Sequence, residues 1–114
     1  MPDREDCVKD VRRSGRDVVV ALAGAVDLHN TPAVHKVLVS ACEEKPRRLV
    51  IDLTSVSYMD SSGIGTLVEV FRRVNAYKGK LAICGLNERV RSVFEITKLD
   101  KFFHIFATER EALA

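Results

Sequence analysis

Along the chain, short apolar runs alternate with stripes of helical spacing. Val18 to Ala23 is strongly apolar, with three consecutive valines, and predicts a strand. Ser14-Gly15, between Arg13 and Arg16, reads as a hairpin turn joining it to a weaker first strand near Cys7 to Arg12. Asn30-Thr31-Pro32 opens a helix: Thr31 is suited to cap the free backbone N–H groups, and Pro32, which lacks an N–H, to fill the first helical position. Val34, Val37, Leu38 and Ala41 follow at i, i+3, i+4 and i+7, the apolar face of a helix ending near Glu44, with Pro46 closing it.

Leu49 to Leu53 is a near-continuous apolar run, the pattern of a strand buried on both faces in a parallel sheet. It is expected to leave the sheet through a polar turn and enter a helix at Asp60-Ser61-Ser62-Gly63. Ile64, Leu67, Val68 and Phe71 form the stripe of that helix, with Glu69 and Arg73 paired at i, i+4 on another face. Leu81 to Cys84 predicts a further strand ended by Gly85. Asn87 then caps a helix with Val90, Val93, Phe94 and Thr97 on one side. Phe102 to Phe106 predicts a last strand and Thr108 to Ala114 a short final helix. The alternation specifies an α/β fold with a mixed sheet.

Composition narrows the function. At 114 residues there is room for one domain and one core, which leaves little for a deep interdomain cleft. Eighteen basic against sixteen acidic residues give a net charge of +2, too small and too mixed to point to nucleic acid or an anionic membrane. Cys7, Cys42 and Cys84 are far apart and odd in number, without metal-ligand spacing; Cys42 and Cys84 sit among apolar neighbours and are expected to be buried reduced thiols, which suits a cytoplasmic location. Met1 to Asp6 lack the pattern of a signal peptide, and no apolar run approaches the ~20 residues needed to span a bilayer.

The informative segment is Asp52 to Gly65, which carries a strand into a helix through Asp60-Ser61-Ser62-Gly63-Ile64-Gly65. Asp and Ser are good helix caps, and a well-capped helix with no further role would use the same residues. Gly63 and Gly65 are harder to explain that way. Glycine costs roughly 1 kcal/mol against alanine in a helix, so something is expected to approach the backbone closely there. Two adjacent hydroxyls also stand at a strand-to-helix turn, where open α/β sheets bind ligands and partners.

These residues resemble the signature of STAS domains, and within that family the small bacterial anti-sigma factor antagonists. The likeness extends to Gly24-Ala25-Val26-Asp27 followed by Asn30-Thr31, to Leu81 through Gly85, and to Val90 through Leu99, covering nearly the whole chain. It implies a single STAS domain over residues 1–114, its mixed, mostly parallel sheet carrying an N-terminal antiparallel hairpin and flanking helices. It also implies a phosphorylation switch. In similar proteins the serine after the motif's aspartate, here Ser61, is phosphorylated by an anti-sigma factor that is also a serine kinase. The unphosphorylated antagonist binds that kinase and frees the sigma factor, and a PP2C-type phosphatase restores it. The partner surface implied comprises Asp27, Asn30, Thr31, Asp60, Ser61, Ser62, Gly63, Ile64 and Gly65, with no cofactor. Ala25 stands where the family usually has an acidic residue.

Asp27 is expected to approach the same turn as Asp60, because both follow neighbouring strand ends; on its own it could equally be a turn residue. A phosphate on Ser61 would add about −1.5 to −2 charges beside Asp60, with the first-turn N–H groups offsetting part of the repulsion. Ser62 is the alternative phosphate acceptor, but as a first-turn residue it is expected to support the helix cap instead. A serine hydrolase is disfavoured because Met59 occupies the first position of Gly-x-Ser-x-Gly and no histidine is spaced to serve as base. Nucleotide-binding glycine motifs are absent. The remaining alternative is a scaffold or ligand-sensing module of the same fold in a larger assembly or beside a lipid transporter.

Overall fold

In a computed structural model, residues 7–114 are described; Met1 to Asp6, which lack the pattern of a signal peptide, lie outside the described residues. Strand β1 (Val8–Ser14) turns back into β2 (Asp17–Val26). Helix α1 (Thr31–Glu43), β3 (Arg48–Met59), α2 (Ser61–Ala76), β4 (Lys80–Cys84) and α3 (Glu88–Ile96) follow. A short 3-10 turn at Leu99–Lys101 leads to β5 (His104–Phe106) and α4 (Glu109–Leu113). The five strands lie in sequence order, β1 antiparallel to β2 and all later neighbours parallel.

The hairpin loop is Gly15-Arg16, one residue later than the sequence indicated, between the paired Ser14 and Asp17. Gly15 adopts φ +62°, the positive value that a two-residue hairpin of this kind needs at its first central position. The core lies between one sheet face and α1, α2 and α3, with Val20, Leu22, Ile51, Leu53, Ile83, Leu38, Leu67, Val70 and Phe94 buried in it. A smaller cluster on the opposite face packs Val19, Val50, Ala82 and Cys84 beneath Ala112 of α4. Burial on both faces explains the near-continuous apolar runs of β2, β3 and β4. Helix α4 is held there by Arg12 to Glu109 at 2.6 Å and by Arg48 Nη1 donating to the Ala112 carbonyl at 3.1 Å.

Three expectations are corrected. Thr54 to Met59 is not a polar turn: β3 continues as strand to Met59. It takes two residues more than β2 over the paired stretch, through irregularities between Ala21 and Ala23 and between Gly24 and Ala25. Each such bulge resets the alternation, so the buried residues fall at Leu53, Val56 and Met59, with polar residues between them. The cap of α1 is Asn30, whose side chain makes no capping bond, and Thr31 is already helical. The last strand spans only His104–Phe106, because Phe103 turns into the core and stacks edge-on against Phe71 and Phe94.

Two helical stripes are also narrower than they read. Val68 and Phe71 are only partly buried while Thr66, Val70 and Val74 complete the inner face of α2, and Thr97 lies exposed past the end of α3. Asn87 caps α3 as expected, accepting from the Val90 N–H at 2.8 Å.

Candidate functional site

The site forms where β2 and β3 end side by side. Val26 pairs with Met59, so the loop into α1 and the junction into α2 leave the sheet together. The Asp60 N–H donates to the Val26 carbonyl at 3.2 Å, fixing the start of α2 against the end of β2.

Asp60 is the N-cap of α2, in extended conformation, and its carboxylate does several things at once. Oδ1 accepts from the N–H of Ser62 at 2.9 Å, from the N–H of Gly63 at 3.3 Å and from the Ser62 hydroxyl at 2.6 Å. Oδ2 accepts from the Leu28 N–H at 3.1 Å, reaching across to the other loop. These bonds, the Ser62 hydroxyl first among them, hold the Asp60 carboxyl below the usual carboxylate range. The first-turn N–H groups of Ser62 and Gly63 therefore already serve a carboxylate, and they are not open to a second anion as the sequence had indicated.

Asp27 performs the matching task for α1. Its Oδ1 accepts from the N–H groups of His29 and Asn30, each at 3.0 Å. Its carbonyl accepts from the Thr31 N–H at 2.8 Å and competes with Ser62 Oγ for the single Thr31 hydroxyl proton. Asn30 Nδ2 donates back to the Ala25 carbonyl at 2.8 Å, closing the loop. Asp27 and Asp60 thus flank one composite turn.

The two serines differ in kind. Ser62 Oγ lies 2.9 Å from Thr31 Oγ1 as well as donating to Asp60, so its hydroxyl is engaged on both sides and supports the cap. Ser61 is exposed, and its hydroxyl takes no part in the bonds that fix the turn.

The two glycines differ as well. A Cβ on Gly63 would lie 2.7 Å from Met59 Cγ and 3.0 Å from the Val26 carbonyl, so this glycine lets α2 settle onto the strand ends. A Cβ on Gly65 would meet nothing within 4 Å, and the residue is exposed one turn beyond Ser61 on the same face of the helix. Ile64, with Gly63, is buried and shapes the site from beneath; Thr31 is 9% exposed.

One feature escaped the sequence. Leu28 belongs to no apolar stripe and was passed over, yet it is 76% exposed, and its N–H holds the Asp60 carboxylate. An apolar residue between Asp27 and His29-Asn30 was the available signal. On the flank of α2, His35 Nε2 lies 2.9 Å from Glu69, which also pairs with Arg73 at 2.8 Å, so the expected Glu69–Arg73 pair has a third member from α1. All three cysteines are buried. Among the described residues no helix is long and apolar enough to cross a membrane, and no cluster of ligating side chains could hold a metal.

Residues 8–112 match the family model of the STAS domain. The chain is 37% identical to the anti-sigma-B factor antagonist of Bacillus subtilis (strain 168) over 98 residues, 86% of this chain and 89% of that protein. Its fold is similar to an anti-sigma factor antagonist from Mycobacterium paratuberculosis, with TM-score 0.86 and 26% identity over 95% of this chain and 92% of that one. It is also similar to the Bacillus cell fate determinant SpoIIAA in its phosphorylated form, with TM-score 0.71 and 25% identity over 91% and 95% of the two chains.

Proposed function

The chain belongs to the STAS domain family, and on that premise we propose that it is an anti-sigma factor antagonist switched by phosphorylation of Ser61. In the unphosphorylated form it binds an anti-sigma factor that is also a serine kinase, and the sigma factor is released. Phosphorylation of Ser61 by that kinase ends binding, and a PP2C-type phosphatase reverses it. The chain is a substrate and competitor rather than an enzyme, and it works in the cytoplasm.

The observation that carries this reading is the division of labour between the two hydroxyls. Ser62 is engaged by Thr31 and Asp60, while Ser61 is exposed at the head of the helix. A kinase can reach Ser61 without opening any bond of the turn. The chemistry of the switch follows from charge. A phosphate on Ser61 adds about −1.5 to −2 charges next to Asp60. Asp60 already occupies two first-turn N–H groups, so the phosphate is left to project at whatever faces the turn. A partner surface complementary to a neutral hydroxyl would then meet a bulky dianion, at a cost in both shape and charge.

Asp27 and Asn30 form the second half of the partner surface, with Asp60 and Gly65 flanking Ser61; Thr31, expected on that surface, is buried and supports it from beneath. Gly63 and Ile64 contribute by setting the position of the first turn. Incubation with a candidate anti-sigma kinase and ATP, followed by mass spectrometry of wild type, Ser61→Ala and Ser62→Ala, tests the assignment. One phosphate on wild type and on Ser62→Ala, and none on Ser61→Ala, is expected. Phosphate on Ser62, or none on any chain, would contradict it.

A further inference from the structure

Two features near Ser61, the Leu28 side chain and the bare backbone at Gly65, are not packed against the rest of the fold. Leu28 leaves 76% of its surface in water at the tip of the loop between β2 and α1. Gly65 lies in the first turns of a 16-residue helix with open space where a side chain would be, although glycine disfavours helix there. A single exposed leucine is common on protein surfaces, and Ile96 at the end of α3 is another, 79% exposed. Leu28 differs from Ile96 in how it is held and in what stands next to it.

The backbone on both sides of Leu28 is fixed. Its own N–H donates to Asp60 Oδ2, and the next two N–H groups, of His29 and Asn30, donate to Asp27 Oδ1. An apolar side chain on so constrained a loop loses little further backbone freedom when it is buried by another protein. Such preorganisation is what makes an interface residue effective. The residue its N–H holds, Asp60, directly precedes Ser61 and caps the helix that presents Ser61 and Gly65 on one face. An exposed leucine and a strip of bare backbone therefore stand on the two segments that Asp60 ties together, next to Ser61 in the chain.

We infer that Leu28 is an apolar anchor for the same protein partner that reads Ser61. That partner presents a nonpolar recess for the leucine and lies close against the backbone at Gly65. This rests on the function proposed above and adds a contact that phosphorylation does not touch directly. Leu28 then sets affinity for the partner, and Ser61 decides whether that affinity is used.

The test uses the anti-sigma kinase that phosphorylates Ser61 in the assay above, with wild type, Leu28→Ser, Leu28→Met and Ile96→Ser. All four should melt at closely similar temperatures, since both positions are exposed. Leu28→Ser should weaken binding by about tenfold or more, as a central interface anchor does, with Leu28→Met and Ile96→Ser within about twofold of wild type. In the phosphorylation reaction Leu28→Ser should raise KM and leave kcat unchanged, because the contact serves ground state and transition state alike. Tight binding by wild type and Leu28→Ser equally would overturn the anchor and leave the switch standing. Equal losses in Leu28→Ser and Ile96→Ser would also overturn it. Failure of wild type itself to bind any such kinase would remove the functional reading on which the anchor rests.

Discussion

Thr31 and Ser62, 31 residues apart in sequence, meet hydroxyl to hydroxyl at 2.9 Å and join the first turns of α1 and α2. The contact ties together the two segments that lead into α1 and α2, next to Ser61. It also separates two adjacent serines by role, since a hydroxyl shared between Thr31 and Asp60 is not free to act elsewhere.

The bond between them should be measurable as a coupling. Thr31→Val and Ser62→Ala are each expected to cost about 1 kcal/mol, the usual net worth of such a hydrogen bond. The double variant should cost less than the sum, because the second change removes a partner already lost. Urea unfolding of the four chains checks this, and strict additivity would mean the hydroxyls do not communicate.

Asp60→Ala should destabilise by about 0.5–2 kcal/mol through loss of the cap. The effect has a pH signature. The folded-state carboxyl sits below its ordinary value of 3.8, so its contribution is fully present above that value and fades as pH falls through the lowered folded one. The stability gap between wild type and Asp60→Ala should therefore be constant near neutrality and narrow below pH 3.8. A gap that widened in acid would contradict the role given to Asp60.

The two glycines of the motif should respond with opposite sign to the same substitution. Gly63→Ala places a methyl group 2.7 Å from Met59 Cγ and should destabilise by about 1–3 kcal/mol through overpacking. Gly65→Ala meets nothing and should stabilise the helix by up to about 1 kcal/mol. If the partner lies against this turn, Gly65→Ala should nevertheless bind it more weakly. Thermal melts paired with a binding titration separate the two effects.

The cysteines should be silent in the native protein. Burial pushes the Cys84 thiol up to about 12 and raises that of Cys42 as well, so neither forms thiolate near neutral pH. A thiol reagent such as Ellman's should react with Cys42 and Cys84 only as the chain unfolds. Rapid native labelling at either would show that the core opens there.

Much of the frame was legible in the residues. The runs Val18 to Ala23, Leu49 to Leu53 and Leu81 to Cys84 all fall within strands, because burial on two faces demands continuous apolar sequence. Asn87 as a cap and Glu69 with Arg73 were legible because both are local relations, set by helical spacing alone. The second half of β3 was hidden. Its two extra residues break the period of two that identifies a strand, and the inward positions then fall every third residue. The Thr31–Ser62 bond, the reach of Asp60 to Leu28 and the third partner of Glu69 were hidden for a different reason. Each joins residues 31 to 34 positions apart, and only the pairing of β2 with β3 and of α1 with α2 brings them together. For the same cause the engagement of Ser62 was readable only in part: its link to Asp60 is local, its link to Thr31 is not.

In the function proposed, one phosphate on Ser61 abolishes binding to the anti-sigma factor without unfolding the chain. The most direct test is the dissociation constant of the anti-sigma kinase for the unmodified chain and for the chain phosphorylated on Ser61, with a thermal melt of each. Tight binding by the unmodified chain is expected, with a loss of about a hundredfold or more on phosphorylation, as when a dianion faces a surface fitted to a hydroxyl, and cooperative melting of both forms. Equal affinity of the two forms, or loss of binding accompanied by loss of the folded state, would contradict it.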